Sequence, residues 1–397
     1  MMAAEQAIAA TPTIADAPAK AGRLVVLQVL PRLGAGGAER GTIDVAGAIV
    51  AAGGTAIVAS AGGSLVHDLA RLGAIHETLP LDSKNPFVIH ANIRRIEKLI
   101  RRYGVHIVHA RSRAPAWSAF VAARRSGAHF VTTFHSTYGL EHRLKWRYNA
   151  IMTRGERVIA ISDFIAGHIR QNYPIDEARL RVIHRGVDLA RFDPDRVSAE
   201  RVIQLARQWR IPDDMPVVML PGRVTRRKGH DLLIEAVALL KDRELRCLMV
   251  GPDEGRGTFR RELEEMAARL GVDGRIQFAG ECRDMPAAYK LADVVVAASS
   301  TPEAFGRIIA EAQAMGRPVV ATDHGGAREQ LSGGRMAWLT PPDDPVALAQ
   351  AIDEALDLPV AERELLAPSA IANVHARFSK DTMCARTLMV YRELVPI

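Results

Sequence analysis

Apolar residues in this chain gather into short unbroken runs. In the first half these are "RLVVLQVL" (23–30), "TAIVAS", "HIVHA" and "HFVTTFH". A run without alternation marks a strand buried on both faces. Between the runs lie longer stretches, such as "HANIRRIEKLIRRYG", whose apolar positions recur at helical spacing. "RVIAISDFIAGHIRQNY" is one more strand, a cap and a helix. This alternation predicts a parallel sheet covered by helices. After "RVIHRGVDLARFDP" the pattern pauses; helical "SAERVIQLARQWR" leads to "IPDDMP". A second alternation then runs through "VVMLPGRV", "LRCLMVG", "RIQFAG", "DVVVAAS", "RPVVATD" and "AWLTP". A helical segment, "SKDTMCARTLMVYREL", follows it. The fold class is therefore α/β in two Rossmann-like halves. Ligands of such folds bind at the carboxyl ends of the strands, which predicts a site in the cleft between the halves.

At 397 residues the chain exceeds one ordinary core. The expected organisation is a disordered lead-in over 1–22, a first domain over 23–200, a second over 201–375, and a terminal helix over 376–397 packing back on the first domain. The lead-in lacks the basic-then-apolar pattern of a signal peptide. Val45 to Val66 holds no charged residue and is long enough to suggest a membrane span. Gly47, Gly53, Gly54, Gly62 and Gly63 punctuate it, so a helix ending at Gly53-Gly54 and a buried strand explain it better.

Charge adds one feature. The net charge is +7, and from His90 to Ala160 fourteen basic residues face three acidic ones, a local excess of +11. That excess is a solvated basic face or a surface for anionic membrane lipid. Nucleic acid is disfavoured, because no RNA- or DNA-binding signature accompanies it. Three scattered cysteines without a CxxC pair argue against a disulfide framework or a zinc site and suit a reducing cytoplasm.

Three stretches carry candidate chemistry. In "LGAGGAE" (33–39), Gly36 and Gly37 precede a helix and could let backbone amides approach an anion. Glu39 stands where a dinucleotide fingerprint would have its third glycine, and no acid ends the second strand, so nicotinamide binding is disfavoured. In "PGRVTRRKGHDLLIEA" (221–236), Arg223 leaves a strand and Lys228 precedes a helix, two cations suited to a diphosphate. In "PEAFGRIIAEAQAMG" (302–316), Glu303 lies on the loop after a strand, and Gly306, Arg307 and Ile308 open a helix whose positive end favours an anion. Glu311 follows on that helix, where a carboxylate could accept bonds from vicinal hydroxyls. Each stretch alone also reads as ordinary: a turn, a basic surface loop, a dipole acid, an exposed helix carboxylate.

In combination they resemble the retaining GT-B glycosyltransferases of family 4. The resemblance runs from Arg23 to Leu394 and rests on "GGAER", "VIHRGVDLARF", "GRVTRRKG", the E-x7-E of "EAFGRIIAE", "EAQAMGRPVVAT" and "GGARE" in order. It implies a GT-B architecture and a role for each matching position. Arg223 and Lys228 would hold the donor diphosphate. Glu303 would contact the transferred sugar, beside amides of Phe305 and Gly306. Glu311 would bind the ribose hydroxyls, and Gly36 and Gly37 would face the phosphate or the acceptor. His135, ending "TTFH", matches the family histidine by the donor sugar; Glu303 and His135 are thus the catalytic candidates. Arg307 departs from the hydrophobic residue common in the family; the residues leave it open between the donor, a neighbouring acid and the surface.

The resemblance further implies retention of anomeric configuration and a leaving diphosphate neutralised by side chains and a helix end, without a metal. The one D-x-D, Asp193-Pro194-Asp195, reads as turn chemistry. No cofactor beyond the nucleotide-sugar donor is expected. "PEAFGRIIAEAQAMGRPVVATDHGGARE", "LGAGGAERGTIDVAGAIVAAG" and "IVASAGG" look like bacterial lipopolysaccharide-core enzymes, including mannosyltransferases. That implies GDP-mannose, a glycan or glycolipid acceptor, and a cytoplasmic, peripheral place at the inner membrane face. A UDP-sugar transferase of exopolysaccharide synthesis, a nucleotide-sugar epimerase and a non-catalytic nucleotide-sugar binder stay open.

Overall fold

The computed structural model describes residues 23–34, 36–253, 257–331 and 335–396. The lead-in expected over 1–22 lies outside them. Two compact units divide the chain. The first is formed by residues up to Gly186 together with those from Lys380 onward; the second is Val187–Ser379.

The first unit holds seven strands: β1 (Val25–Val29), β2 (Thr55–Ser60), β3 (Ile75–Thr78), β4 (Ile107–Ala110), β5 (His129–Phe134), β6 (Arg157–Ala160) and β7 (Leu180–Val182). They lie in the order β3-β2-β1-β4-β5-β6-β7, all parallel. Every residue of β1 and of β4 is buried, as an unbroken apolar run requires. The core includes Val26, Val58, Ile107 and Val131 from the sheet and Ile43 and Ile49 from the helix Gly37–Ala51. That helix ends at Ala52 and Gly53 takes φ 80°, so the uncharged Val45–Val66 stretch is a helix, a turn and β2. No helix among the described residues is long and apolar enough to cross a membrane.

The second unit holds β8 (Val217–Pro221), β9 (Arg246–Val250), β10 (Ile276–Gly280), β11 (Val294–Ala297), β12 (Val319–Thr322) and β13 (Ala337–Thr340). Their order is β10-β9-β8-β11-β12-β13, again all parallel. In each sheet the order reverses beside one central strand, β1 against β4 and β8 against β11. Those are the points where open α/β sheets leave a crevice at their carboxyl edge.

The unit boundaries differ from the expected 200/201 and 375/376. The first crossing falls at Gly186/Val187 and the second at Ser379/Lys380. Val187 N–H donates to the Phe378 carbonyl at 2.8 Å and bridges Ser379, which anchors both ends within the second unit. The helix Ala199–Gln208 also belongs there, because Arg201 grips Asp284 through two bonds of 2.6 and 2.9 Å. The final helix Lys380–Arg392 belongs to the first unit. Its Tyr391 hydroxyl meets buried His109 Nδ1 at 2.6 Å, and Glu393 beyond it accepts from Arg157 and Arg181 at 2.5 and 2.7 Å.

Candidate functional site

In the second unit, two loops leave adjacent strands. After β8 the chain passes Gly222 and exposed Arg223 into a tight turn, Arg226–Lys228, and then the helix His230–Leu239. Gly229 closes that turn at φ 68°, and a Cβ there would strike the Ala298 backbone after β11. Only glycine lets the turn sit so close to the neighbouring strand. The second loop is tied to the first by three bonds: Ser300 N–H and Oγ donate to the Arg227 and Arg226 carbonyls at 3.1 and 3.2 Å, and Arg227 Nε donates to Thr301 Oγ1 at 3.0 Å.

This stitching brings Lys228 and Glu303 together. Lys228 Nζ lies 2.5 Å from Glu303 Oε1, and Ser299 Oγ donates to the same oxygen at 2.6 Å. The two side chains keep 20% and 26% of their surface exposed, so the pair is reachable from solvent. Burial pushes the Glu303 carboxyl up, but the Lys228 ammonium and the bonds from Lys228 and Ser299 outweigh it and hold it below its ordinary value. Glu303 is therefore a carboxylate at neutral pH.

The Glu303 loop is fixed from behind. Gly326 N–H donates to the Glu303 carbonyl at 2.8 Å, and a Cβ on Gly325 or Gly326 would collide with the backbone of 303–305. Buried Gln330 donates to the carbonyls of Phe305 and Gly326. The Phe305 ring is core, packed edge-on against Phe378 at 5.5 Å, so this residue offers the site only its backbone. Gly306, at φ 78°, begins the helix Arg307–Ala314 without a side-chain cap. The first amides of that helix and its positive end are left for an anion. Ile308 Cδ1 approaches Gly222, and it lines the same small cavity as Glu303, Ser299 and His324. His324 Nε2 is buried there without a hydrogen-bond partner.

Glu311 departs from the exposed carboxylate its helical position suggested. It is buried, and both oxygens have protein partners: Tyr289 Oη donates to Oε2 at 2.9 Å and Arg307 to Oε1 at 2.6 Å. Burial, then Glu311, drives the Tyr289 hydroxyl well above its ordinary pKa. Arg307 thus serves the neighbouring acid, one turn along its own helix. The D-x-D is a turn: Asp193 Oδ1 accepts from Asp195 N–H at 2.9 Å.

The first unit gathers a different set. His135 follows β5 and is half-buried, with Nε2 turned away from solvent. Arg185, just past β7, donates to His135 Nδ1 at 2.9 Å and to the Gly37 carbonyl. A guanidinium can only donate, so Nδ1 accepts and the imidazole proton resides on Nε2. Nε2 has no hydrogen-bond partner in the structure. Burial, then the charges of Arg185 and Arg111, hold the imidazole pKa well below 6.5. His135 is a neutral donor, not a base. The glycines of the first loop open the helix Gly37–Ala51 without a side-chain cap, as Gly306 opens its own helix. Gly36 is an ordinary helix start at φ −73°, and the Gly37 carbonyl is taken by Arg185. The close approach comes at Gly41, where a Cβ would lie 3.1 Å from Arg111 and 3.3 Å from Arg185.

Ser299, Gln330, His324, Tyr289, Arg111 and Arg185 were missed from the sequence. Arg111 follows directly on the carboxyl end of β4, and Arg185 stands three residues past β7 inside "VIHRGVD"; position near a strand end was the usable signal.

Comparison with known proteins bears on this arrangement. Residues 35–191 match Glycosyltransferase Family 4, and residues 203–371 match Glycosyl transferases group 1. A crystal structure of a glycosyltransferase from Rickettsia africae superposes with a TM-score of 0.88 at 38% identity, covering 94% of this chain and 99% of that one. The chain belongs to the glycosyltransferase family. Its fold is GT-B. HepE from Anabaena, solved with UDP and glucose, shares the fold at TM-score 0.81 and 22% identity, covering 94% of this chain and all of that one. A relative named D-inositol 3-phosphate glycosyltransferase, from Salinispora tropica, is 36% identical over 262 residues, 62% of this glycosyltransferase. The chain spans about half the length, 52%, of that relative.

Proposed function

We propose that this protein is a retaining glycosyltransferase that moves a sugar from a nucleoside-diphosphate donor to an acceptor hydroxyl without a metal. One observation carries the reading: an ion pair, Lys228–Glu303 at 2.5 Å, beside an uncapped helix start at Gly306. Lys228, Arg223 and the first amides of the helix Arg307–Ala314 neutralise the diphosphate as it leaves. The acceptor oxygen bonds to the anomeric carbon, the bond to the diphosphate breaks, and a diphosphate oxygen takes the acceptor proton. Glu303, charged at neutral pH, orients sugar hydroxyls. His135 donates from Nε2–H to a sugar or acceptor oxygen. Glu311, freed from Arg307 by a small rotation of that side chain, accepts from ribose hydroxyls.

For the donor and acceptor, the lipopolysaccharide-type stretches support GDP-mannose and a lipid-linked core glycan, reached from the cytoplasmic membrane face. The basic segment 90–160 supports peripheral attachment there, tested by co-sedimentation with anionic liposomes at low salt. A second reading is a UDP-sugar with a phosphorylated polyol acceptor. The printed name of the Salinispora tropica relative favours the acceptor, and the UDP complex of HepE favours the base.

Thermal stability with GDP, UDP, ADP or NAD in large excess, without metal, separates these. A ligand at one hundred times its dissociation constant stabilises by about 2.7 kcal/mol. A shift with GDP alone supports the mannosyl reading and a shift with UDP alone the second; no shift with any of the four removes the donor site. Sugar transfer from the stabilising donor then distinguishes a transferase from a binder, and interconversion of the donor without acceptor marks an epimerase.

A further inference from the structure

The first unit has a cavity of about 560 Å³ at the end of its sheet opposite His135. Arg154 stands just before β6, Arg179 just before β7, and Arg124 closes the helix Arg113–Ser126 that leads into β5. All are at the amino-terminal edge of the strands, whereas His135, Arg111 and Arg185 follow the carboxyl ends. β5 alone, six residues long, separates the two edges by about 20 Å.

The cavity wall is aromatic and preset. Trp117 stacks on Tyr148 at 6.2 Å and Trp146 stacks on Tyr173 at 5.9 Å. The Trp146 indole N–H donates to the Asn172 carbonyl at 2.8 Å, which fixes its ring. Four arginines, Arg124, Arg147, Arg154 and Arg179, share the lining with no aspartate or glutamate among them. Arg179 is held by the carbonyls of Thr153 and Gly155 at 2.8 and 3.0 Å, which fix its position and leave its charge uncompensated. Arg124, Arg147 and Arg154 make no ion pair among the described residues, although adjacent Arg125 lies 3.5 Å from Glu97 and Arg170 pairs with Glu177 at 2.9 Å.

Four like charges around one hollow repel one another, and a multivalent anion relieves that repulsion. Guanidinium forks match phosphate oxygens two at a time, and flat indoles cover a ring or an apolar group. We propose that this cavity is a second anion site, separate from the donor site, which binds a phosphate-bearing ligand through Arg147 and Arg154 and covers its organic part with Trp117 and Trp146. The phosphate belongs to a soluble ester or to a lipid headgroup, and the test separates them.

The full chain is dialysed against labelled inorganic pyrophosphate and, in parallel, sedimented with phosphatidylcholine vesicles with and without phosphatidic acid. The variant Arg147→Ala/Arg154→Ala removes two exposed side chains that hold no carboxylate, so its melting temperature and donor turnover are expected to match the wild type. The control Arg94→Ala/Arg101→Ala removes the same charge from exposed positions of the helix Pro86–Tyr103. Lys228→Ala removes pyrophosphate from the donor site. Loss in the Arg147/Arg154 variant of a pyrophosphate site that survives Lys228→Ala, by at least about ten-fold, supports a soluble ester. An equal loss confined to phosphatidic acid vesicles supports a headgroup. Unchanged binding of both probes by the folded variant overturns the proposal. An equal loss in the control also overturns it, because diffuse surface charge then explains the binding.

Discussion

Each unit holds an ionisable side chain beyond a parallel strand, Glu303 in the loop after β11 and His135 directly after β5, and the two are treated oppositely. In the second unit, Glu303 loses solvent beside a cation, and the opposite charge wins over burial: the acid stays charged. In the first unit, His135 loses solvent beside two further cations, so burial and like charge act together and the base stays neutral. Depth is not the difference; the sign of the neighbour is. The result is a fixed charge in one unit and a neutral imidazole in the other.

Removing the charged partner breaks this comparison most severely. Lys228→Ala takes a cation from a site that holds a diphosphate and leaves Glu303 uncompensated. A charge-assisted hydrogen bond contributes about 1.5–3 kcal/mol. We expect kcat/KM for the donor to fall by about ten- to one-hundred-fold or more in a variant that still folds, with a lowered melting temperature; steady-state kinetics beside calorimetry reads both. Wild-type kinetics in the folded variant would sink the assignment of Lys228.

Acid titration sharpens the comparison by separating the neutral histidines from the charged acid in pH. His109 and His135 are held well below 6.5, and buried His230 is pushed down to about 4 by burial. Their folded pKa values lie below the unfolded one, so the unfolded chain binds more protons as pH falls. Their contribution is complete above about 6.5 and is lost progressively below it. His230 alone accounts for about 3 kcal/mol by pH 4. The Lys228–Glu303 pair lies in a lower window, because the carboxyl is also held down: its contribution is present above the ordinary carboxylate pKa of 4.5 and lost only as pH falls through the folded value. Chemical denaturation at stepped pH should therefore show weakening from about 6.5 downward, before the pair titrates. A flat profile between pH 7 and 5 would contradict the buried neutral histidines.

Arg185→Met should act more mildly. It removes the largest like charge on His135 and the donor that fixes its tautomer. The imidazole pKa is expected to rise toward its ordinary value, and nitrogen NMR of the ring should show Nδ1 and Nε2 sharing the proton. Activity should fall by about ten-fold. Persistence of a single Nε2–H tautomer would remove Arg185 from its positioning role.

The smallest expected effect is none. Chelation by EDTA should leave full activity, since cations of the protein neutralise the diphosphate in the proposed mechanism. Loss of activity restored by Mn²⁺ would replace that account with a metal-assisted one.

Legibility in the sequence followed burial. The central strands were read because both of their faces are covered, which writes an unbroken apolar run. Edge strands β3, "IHET", and β7, "LRV", escaped, being four and three residues long and broken by polar or charged residues, whereas edge strand β10, also half-buried, was read from its longer run "RIQFAG". The helix Val360–Arg377 escaped as well, with Pro368 inside it. The positions of Glu303, Lys228 and Gly306 on the loops after β11 and β8 were legible from strand-loop-helix spacing. Gln330 was not, since the Phe305 carbonyl it holds lies 25 residues away in the chain.

The sequence by itself determined the two parallel sheets, their strand-end loops and the residue types at those loops. Period, glycine placement and charge are local properties, and they act over a few residues. Only the tertiary structure decided the partners. It put Lys228 against Glu303, Arg307 and Tyr289 against Glu311, and Arg185 against His135 and the Gly37 carbonyl. Electrostatic environment depends on which charges meet through space and how much water they keep, and neither is written in the order of residues along the chain.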